Sequence, residues 1–132
     1  MQAATTKPRI WIGHWLMGVA ALHTVFAAVV FGKVLRTMAE RGLFNSVGAD
    51  PLLGAVTWFV LFGFVLALLS LAVTALERSG QSVALRQLGF GLILLCGLGI
   101  VLMPASGFWL AIVPALAMLR KGATAAPQMA SA

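Results

Sequence analysis

The sequence predicts an all-α integral membrane protein, a bundle of four transmembrane helices with both termini in the cytoplasm. Of its 132 residues, 61% are hydrophobic and 9% are charged, against roughly 25% charged residues in an ordinary soluble domain. Four apolar stretches are separated by short polar breaks. A soluble fold of this length would not bury so much apolar surface, so most of it must face lipid or other membrane helices.

The first predicted span, residues 10–32, follows an N-terminal segment at residues 1–9 and contains no Asp, Glu, Lys or Arg. It is longer than the apolar region of a cleaved signal peptide, about 7–15 residues, so we interpret it as an uncleaved span. The helical pattern is expected to continue through residues 33–41, where Arg36 and Glu40 are four apart. Gly42 is expected to end this stretch.

The second predicted span, residues 52–76, begins after Asp50 and Pro51, which have the pattern of an N-cap and a first helical residue. A polar turn at residues 79–82 precedes the third span, residues 85–103. A break at residues 104–107 opens the fourth span, residues 104–119, which is short and contains Pro114, expected to kink it. Residues 122–132 are predicted to be a disordered tail.

The orientation follows from the distribution of Lys and Arg near the ends of the spans. With four spans, the two termini and the second loop lie on one side of the membrane and hold six basic residues, against three on the other side: Lys7, Arg9, Arg78, Arg86, Arg120 and Lys121 against Lys33, Arg36 and Arg41. This bias places both termini in the cytoplasm. The basic residues lie in small groups between apolar runs, which is typical of lipid headgroup anchors and not of a nucleic-acid surface.

Small residues three and four apart predict where membrane helices approach each other closely. In the first span these include Gly18, Ala21, Val25, Ala28 and Gly32; in the second, Gly63, Ala67, Ser70 and Thr74; in the third, Gly89, Cys96 and Gly99. They predict a compact bundle. Trp11 and Trp15 near the start of the first span are interpreted as interface anchors.

His14 and His23 are the candidate cofactor-binding residues, because an ionisable side chain inside a span is a candidate for function. They are nine residues apart, about 900° around a helix, and therefore point to opposite sides. His14 is expected to face the bundle with Gly18, and His23 the other side with Ala20. For both, a hydrogen bond to a neighbouring helix is the plainer interpretation. No catalytic residue and no metal site is predicted, and the single Cys96 forms no disulfide within the chain.

The pattern W-I-G-H-W at residues 11–15, with a second histidine on the same helix and four short spans, resembles a group of small bacterial membrane proteins. This group is loosely DoxX-like and of unknown function. The resemblance covers residues 9–121 and implies a multi-pass protein of the bacterial inner membrane, without implying an activity. Small multidrug transporters are also of this size, but they have a glutamate in the first span, where this chain has His14.

Three functions stay open. The first is a non-enzymatic accessory or structural subunit that packs against itself or against a larger membrane complex. The second is a redox protein that binds haem or quinone through His14 or His23. The third is a small transporter or channel, which the lack of a carboxylate inside the predicted spans disfavours, since Glu40, Asp50 and Glu77 all lie at ends or in loops.

Overall fold

The computed structural model describes residues 9–42 and 44–124. These residues form five helices and no strand: α1 (Ile12–Val30), α2 (Gly32–Glu40), α3 (Pro51–Ser79), α4 (Ser82–Leu102) and α5 (Phe108–Thr124). Three of them, α1, α3 and α4, are long and apolar enough to cross a membrane. The all-α prediction is therefore confirmed. The predicted fourth span corresponds to α5, which has 17 residues and is not among these three helices, so a fourth crossing stays a prediction. Residues 1–8 of the predicted N-terminal segment lie outside the described residues.

Helix α2 is a separate helix and not a continuation of α1. Phe31 interrupts the helical backbone between them, with φ −105° and ψ 15°. Within α2, the Arg36 guanidinium donates to the Glu40 carboxylate at 2.9 Å, as their spacing predicts. The chain leaves α2 at Gly42, whose φ of +83° lies in the left-handed region that glycine adopts without strain.

Helix α3 begins and ends with strong local signals. The Asp50 side chain accepts hydrogen bonds from the backbone N–H groups of Leu52 at 2.9 Å and Leu53 at 3.2 Å, so the predicted N-cap is confirmed. The helix ends at Gly80 with φ +69°. At 29 residues it is longer than the predicted span, and α4 starts at Ser82, three residues before the prediction.

Helix α5 differs from the prediction at both ends. It begins at Phe108 and not near Pro104, because residues 104–107 form an irregular connection after α4. It continues through Gly122 to Thr124, so the prediction of a disordered tail from residue 122 is wrong for these first residues. Gly122 is buried, and a Cβ there would overlap the Arg86 side chain and the Ser82 carbonyl oxygen of α4. Close packing on α4 therefore keeps this end of the chain helical. Residues 125–132 lie outside the described residues.

The helices pack mainly in two antiparallel pairs. The most extensive contacts join α1 with α3 and α4 with α5, while smaller contacts join α1 with α5 and α3 with α4. The core shared by these helices is apolar and contains residues from each pair, among them Leu16, Val73, Leu92, Cys96 and Met118. The starts of α1 and α4 and the ends of α3 and α5 consequently lie at the same end of the molecule, which we call the terminal end.

Candidate functional site

His23 lies at the contact between α1 and α3 and is half-buried. Its Nε2 is 2.9 Å from the backbone carbonyl oxygen of Phe59. Since a carbonyl oxygen only accepts, Nε2 carries the proton and donates. The imidazole also stacks on the Phe59 ring, with 4.2 Å between ring centroids, and meets Phe62 edge-on. A hydrogen bond to the neighbouring helix, the plainer of the two interpretations, is therefore the arrangement that the structure gives His23.

His14 lies on the outer surface of α1, close to the terminal end, and is exposed. The prediction that it faces the bundle with Gly18 is wrong, because α1 packs with the opposite face, which includes Leu16 and Ala20. The small residues Gly18 and Ala21 are exposed and do not mark the packed side of α1 within one chain. The structure does not bring the two histidines together, because His23 contacts Phe59 of α3 while His14 is exposed near the start of α1. Within residues 9–42 and 44–124, no three His, Cys, Asp or Glu residues form a group that could hold a metal ion.

The candidate packing residues of the first predicted span are Gly18, which lies in α1, and Gly32, which begins α2. A Cβ built on either of them would meet no atom within 4 Å. On α3, Gly63 is buried and a Cβ there would lie 3.0 Å from the His23 ring and from the Thr24 hydroxyl. Ala67, one turn further along, is half-buried and packs against the core.

On α4, the candidate packing residues Gly89 and Gly99 are both buried against α5. A Cβ at Gly89 would lie 2.7 Å from the Cβ of Met118, and one at Gly99 would overlap the Phe108 ring. Glycine at these two positions lets α4 and α5 approach each other closely.

The sequence pattern did not single out Gly13, which lies in a close contact between α1 and α3. A Cβ there would lie 2.8 Å from the Ser70 carbonyl oxygen and would overlap the Thr74 hydroxyl. The Ser70 hydroxyl donates to the Gly13 carbonyl oxygen at 2.8 Å, and this hydroxyl is almost fully buried. A hydrogen bond from side chain to backbone therefore joins α1 and α3 at this close contact.

The Glu77 carboxylate accepts three hydrogen bonds at the terminal end. Its carboxylate accepts from the backbone N–H of Gly13 at 2.9 Å and of Trp11 at 3.4 Å. These N–H groups lie at the start of α1, where backbone N–H groups have no acceptor within the helix itself. A carboxylate there also opposes the positive end of the helix dipole. Glu77 thus caps α1 from α3.

Lys121 completes this group from α5. Its ammonium donates to the Glu77 carboxylate at 2.6 Å and to the Arg9 carbonyl oxygen at 2.5 Å. The Glu77 side chain is fully buried, whereas that of Lys121 is 33% exposed. We call Trp11, Gly13, Glu77 and Lys121 the terminal cluster, because together they fasten the ends of α1, α3 and α5.

The sequence analysis does not predict the terminal cluster, because it places Glu77 at the end of the second span and gives it no partner. One signal was present: Glu77 and Lys121 have opposite charges and end two apolar runs that a four-span topology places on the same side. A carboxylate at the end of a long apolar helix needs such a partner when the neighbouring helices exclude water.

Trp15 links α1 to α5 and is not simply a lipid anchor. Its indole N–H donates to the backbone carbonyl oxygen of Leu110 at 3.0 Å. In a regular helix this carbonyl would accept from the N–H of residue 114, which is Pro114 and has none. Trp15 therefore supplies the donor that Pro114 lacks, and the proline is accommodated at an apolar contact without an unsatisfied carbonyl.

A groove of about 590 Å³ lies on the outer surface between α1 and α3, near the terminal end. It is lined by both polar and apolar side chains: His14, Met17, Ser70, Leu71, Thr74, Ala75, Arg78 and Ser79. It is the place where the structure puts His14 among other polar residues.

A family model of a family of unknown function, DUF6463, matches residues 7–125. The chain belongs to the DUF6463 family. This match covers all five helices that the structure describes. No curated protein and no solved structure is significantly similar to the chain. The DoxX-like resemblance and the bacterial origin that it implies stay predictions.

Proposed function

We propose that this DUF6463 protein is a multi-pass membrane protein that works as a non-enzymatic structural subunit, and that a second copy of the chain packs on α1. Four helices, α1, α3, α4 and α5, would cross the membrane, with the terminal end in the cytoplasm. The basic residues near the terminal end support this orientation. The resemblance to small bacterial membrane proteins supports the bacterial inner membrane as the location.

The observation that carries the proposal is the outer face of α1, which we define by Gly18, Ala21, Val25 and Ala28. All four residues are exposed, and Val25 is 59% exposed. They are spaced three and four apart, so they form one stripe along the helix. Small residues in such a stripe let a second helix approach closely in a membrane, where van der Waals contact drives association.

The polar groups of the helix contacts support a structural role over transport. Ser70, His23 and Glu77 are each bonded to a backbone group or a side chain of another helix. These bonds fix helix positions. A conduction pathway would instead need polar groups directed at a passage between the helices.

The cofactor-binding alternative finds less support in the geometry of the two histidines. His23 already uses Nε2 for the Phe59 carbonyl, and His14 is exposed near the start of α1. Purified protein is expected to show no haem absorption band. A band that His14→Ala or His23→Ala removes would overturn the structural proposal. For the transport alternative, vesicles with the protein should take up solutes no faster than empty vesicles.

Disulfide crosslinking tests the packing of a second copy on α1. A cysteine in place of Ala21 would lie on the outer face of α1, and one in place of Leu94 lies on an exposed part of α4. Native Cys96 is fully buried, so the wild type is the background. After reconstitution in vesicles and mild oxidation, Ala21→Cys is expected to give a covalent dimer while Leu94→Cys and the wild type stay monomeric.

The control for random collision is dilution with lipid. A dimer of Ala21→Cys that persists at high lipid-to-protein ratios supports the proposal. Equal crosslinking of Ala21→Cys and Leu94→Cys, or none of either, would contradict it. A further variant, Gly18→Leu, fills the stripe with a large side chain and should abolish the dimer.

A further inference from the structure

The groove between α1 and α3 has a polar end and an apolar end. His14, Thr74, Arg78 and Ser79 lie towards the terminal end, because α1 begins and α3 ends there. Met17 and Leu71 lie further along the two helices, away from that end. In a membrane, the polar end would be level with the headgroups, and the apolar end would be level with the acyl chains.

All three hydroxyl groups that line the groove are already used within the protein, and that of Ser70 donates to the Gly13 carbonyl oxygen at 2.8 Å. Thr74 donates to the Ser70 carbonyl at 2.9 Å, and Ser79 donates to the Leu76 carbonyl at 3.4 Å. Within the part of the chain that the structure describes, Arg78 and His14 make no hydrogen bond or ion pair with the protein. The ligand-binding potential of the groove therefore rests on these two side chains.

The Glu77 carboxylate does not compensate the positive charge of Arg78, its neighbour in the sequence. The Glu77 carboxylate is directed into the bundle, where it accepts from Gly13 and binds the Lys121 ammonium. Its charge is thus balanced by α5 and not by Arg78. The polar end of the groove consequently carries a net positive charge, which favours an anion.

We propose that this groove is a binding site for one anionic phospholipid. Arg78 binds the phosphate, since the planar guanidinium matches phosphate oxygens with two parallel hydrogen bonds. The His14 imidazole donates to the same headgroup, and an acyl chain lies along Met17 and Leu71. The site needs only membrane insertion, so it is independent of the proposed dimer.

Native mass spectrometry of the full-length protein in a non-ionic detergent tests the site. The probes are phosphatidylglycerol and phosphatidylcholine with identical acyl chains, titrated into the wild type, Arg78→Gln and Arg86→Gln. Arg86 is the matched control, because it is an exposed arginine near the same end of the molecule but does not line the groove. Both variants remove one positive charge.

One phosphatidylglycerol is expected to bind the wild type more tightly than phosphatidylcholine. Arg78→Gln should weaken phosphatidylglycerol binding about tenfold, the effect of one lost charge-assisted hydrogen-bond pair, and His14→Ala should weaken it less. Arg86→Gln should leave it within about twofold. Millimolar glycerol phosphate should not displace the lipid, because the acyl chain contributes to binding.

Several outcomes would overturn the proposal. Equal weakening by Arg78→Gln and Arg86→Gln would mean that the lipid responds to overall charge and not to the groove. Equal binding of the two lipids would show no selection for an anion. Displacement by glycerol phosphate would identify a plain phosphate site. Thermal unfolding of each variant shows whether it is folded. If Arg78→Gln is unstable, Arg78→Lys takes its place in the test. This variant keeps the charge and should retain part of the affinity for phosphatidylglycerol.

Discussion

Breaking the buried ion pair of the terminal cluster from its two sides should have unequal effects. Replacing Lys121 with methionine keeps the length of the side chain but removes the ammonium. The Glu77 carboxylate, which is fully buried, is then left with the N–H groups of Trp11 and Gly13 as its partners. Replacing Glu77 with glutamine leaves the ammonium of Lys121, whose side chain is 33% exposed. That ammonium retains the Arg9 carbonyl as an acceptor.

The expected losses of unfolding free energy follow from the burial of Glu77 and the partial exposure of Lys121. Removing one partner of a buried ion pair costs about 3–5 kcal/mol when the remaining charge stays buried, so Lys121→Met should lower the free energy of unfolding by about 3 kcal/mol. The glutamine oxygen in Glu77→Gln can still accept from Gly13, and the remaining ammonium can reach water. We expect a loss of about 1–2 kcal/mol there. The double variant has no buried charge at this place, so it should recover about 2 kcal/mol of the summed losses.

The assay is reversible unfolding in mixed micelles by increasing dodecyl sulfate, followed by tryptophan fluorescence. The wild type, both single variants and the double variant form a double-mutant cycle, which isolates the coupling between the two side chains. Losses that add within about 0.5 kcal/mol would refute the cluster as described. Glu77→Gln as the more harmful single variant would refute the assignment of the buried charge to Glu77.

Two further predictions concern contacts of α1. Gly13→Ala should destabilise the protein by about 1–3 kcal/mol, because its Cβ would overlap Thr74 on α3. Gly18→Ala is the control on the same helix, because a Cβ there meets nothing within 4 Å. In monomeric detergent samples it should be neutral or stabilising by up to about 1 kcal/mol. Equal losses of stability in the two variants would contradict the close contact at Gly13. Trp15→Phe should cost about 1 kcal/mol through the lost hydrogen bond to Leu110. In a Pro114→Ala background, residue 114 again supplies an N–H, so Trp15→Phe should lower the free energy of unfolding by almost nothing. An unchanged loss in the same unfolding assay would show that Trp15 does not compensate for the proline.

Local signals in the sequence were sufficient for the helices and for most of their ends. Asp50 followed by Pro51 marked the start of α3, Gly80 lies in the predicted polar turn at its end, and Gly42 closes the stretch after α1. Each of these depends on a few adjacent residues and on backbone geometry, so no knowledge of the neighbouring helices was needed. The length and hydropathy of α1, α3 and α4 likewise depend on composition alone.

Contacts between helices were less accessible from the sequence. The small-residue pattern located Gly63, Gly89 and Gly99, which the structure places in helix contacts, but it selected the wrong face of α1 and missed Gly13. A membrane helix has apolar residues all round, so its hydropathy does not reveal which face is packed. Small residues can mark a contact within the chain or a contact with another chain, and the pattern alone does not separate the two.

The sequence by itself determined that this chain is helical and that most of it is apolar enough for membrane helices. It predicts four crossings, of which the structure shows three helices long and apolar enough to span a membrane. Only the tertiary structure decided that Glu77 on α3 caps α1 and meets Lys121 on α5, and that Trp15 serves the carbonyl that Pro114 leaves without a donor. The partners in these contacts are between 44 and 95 residues apart along the chain. Their meeting depends on how the helices pack, and helix packing is set by the shapes of whole faces and not by any local run of residues.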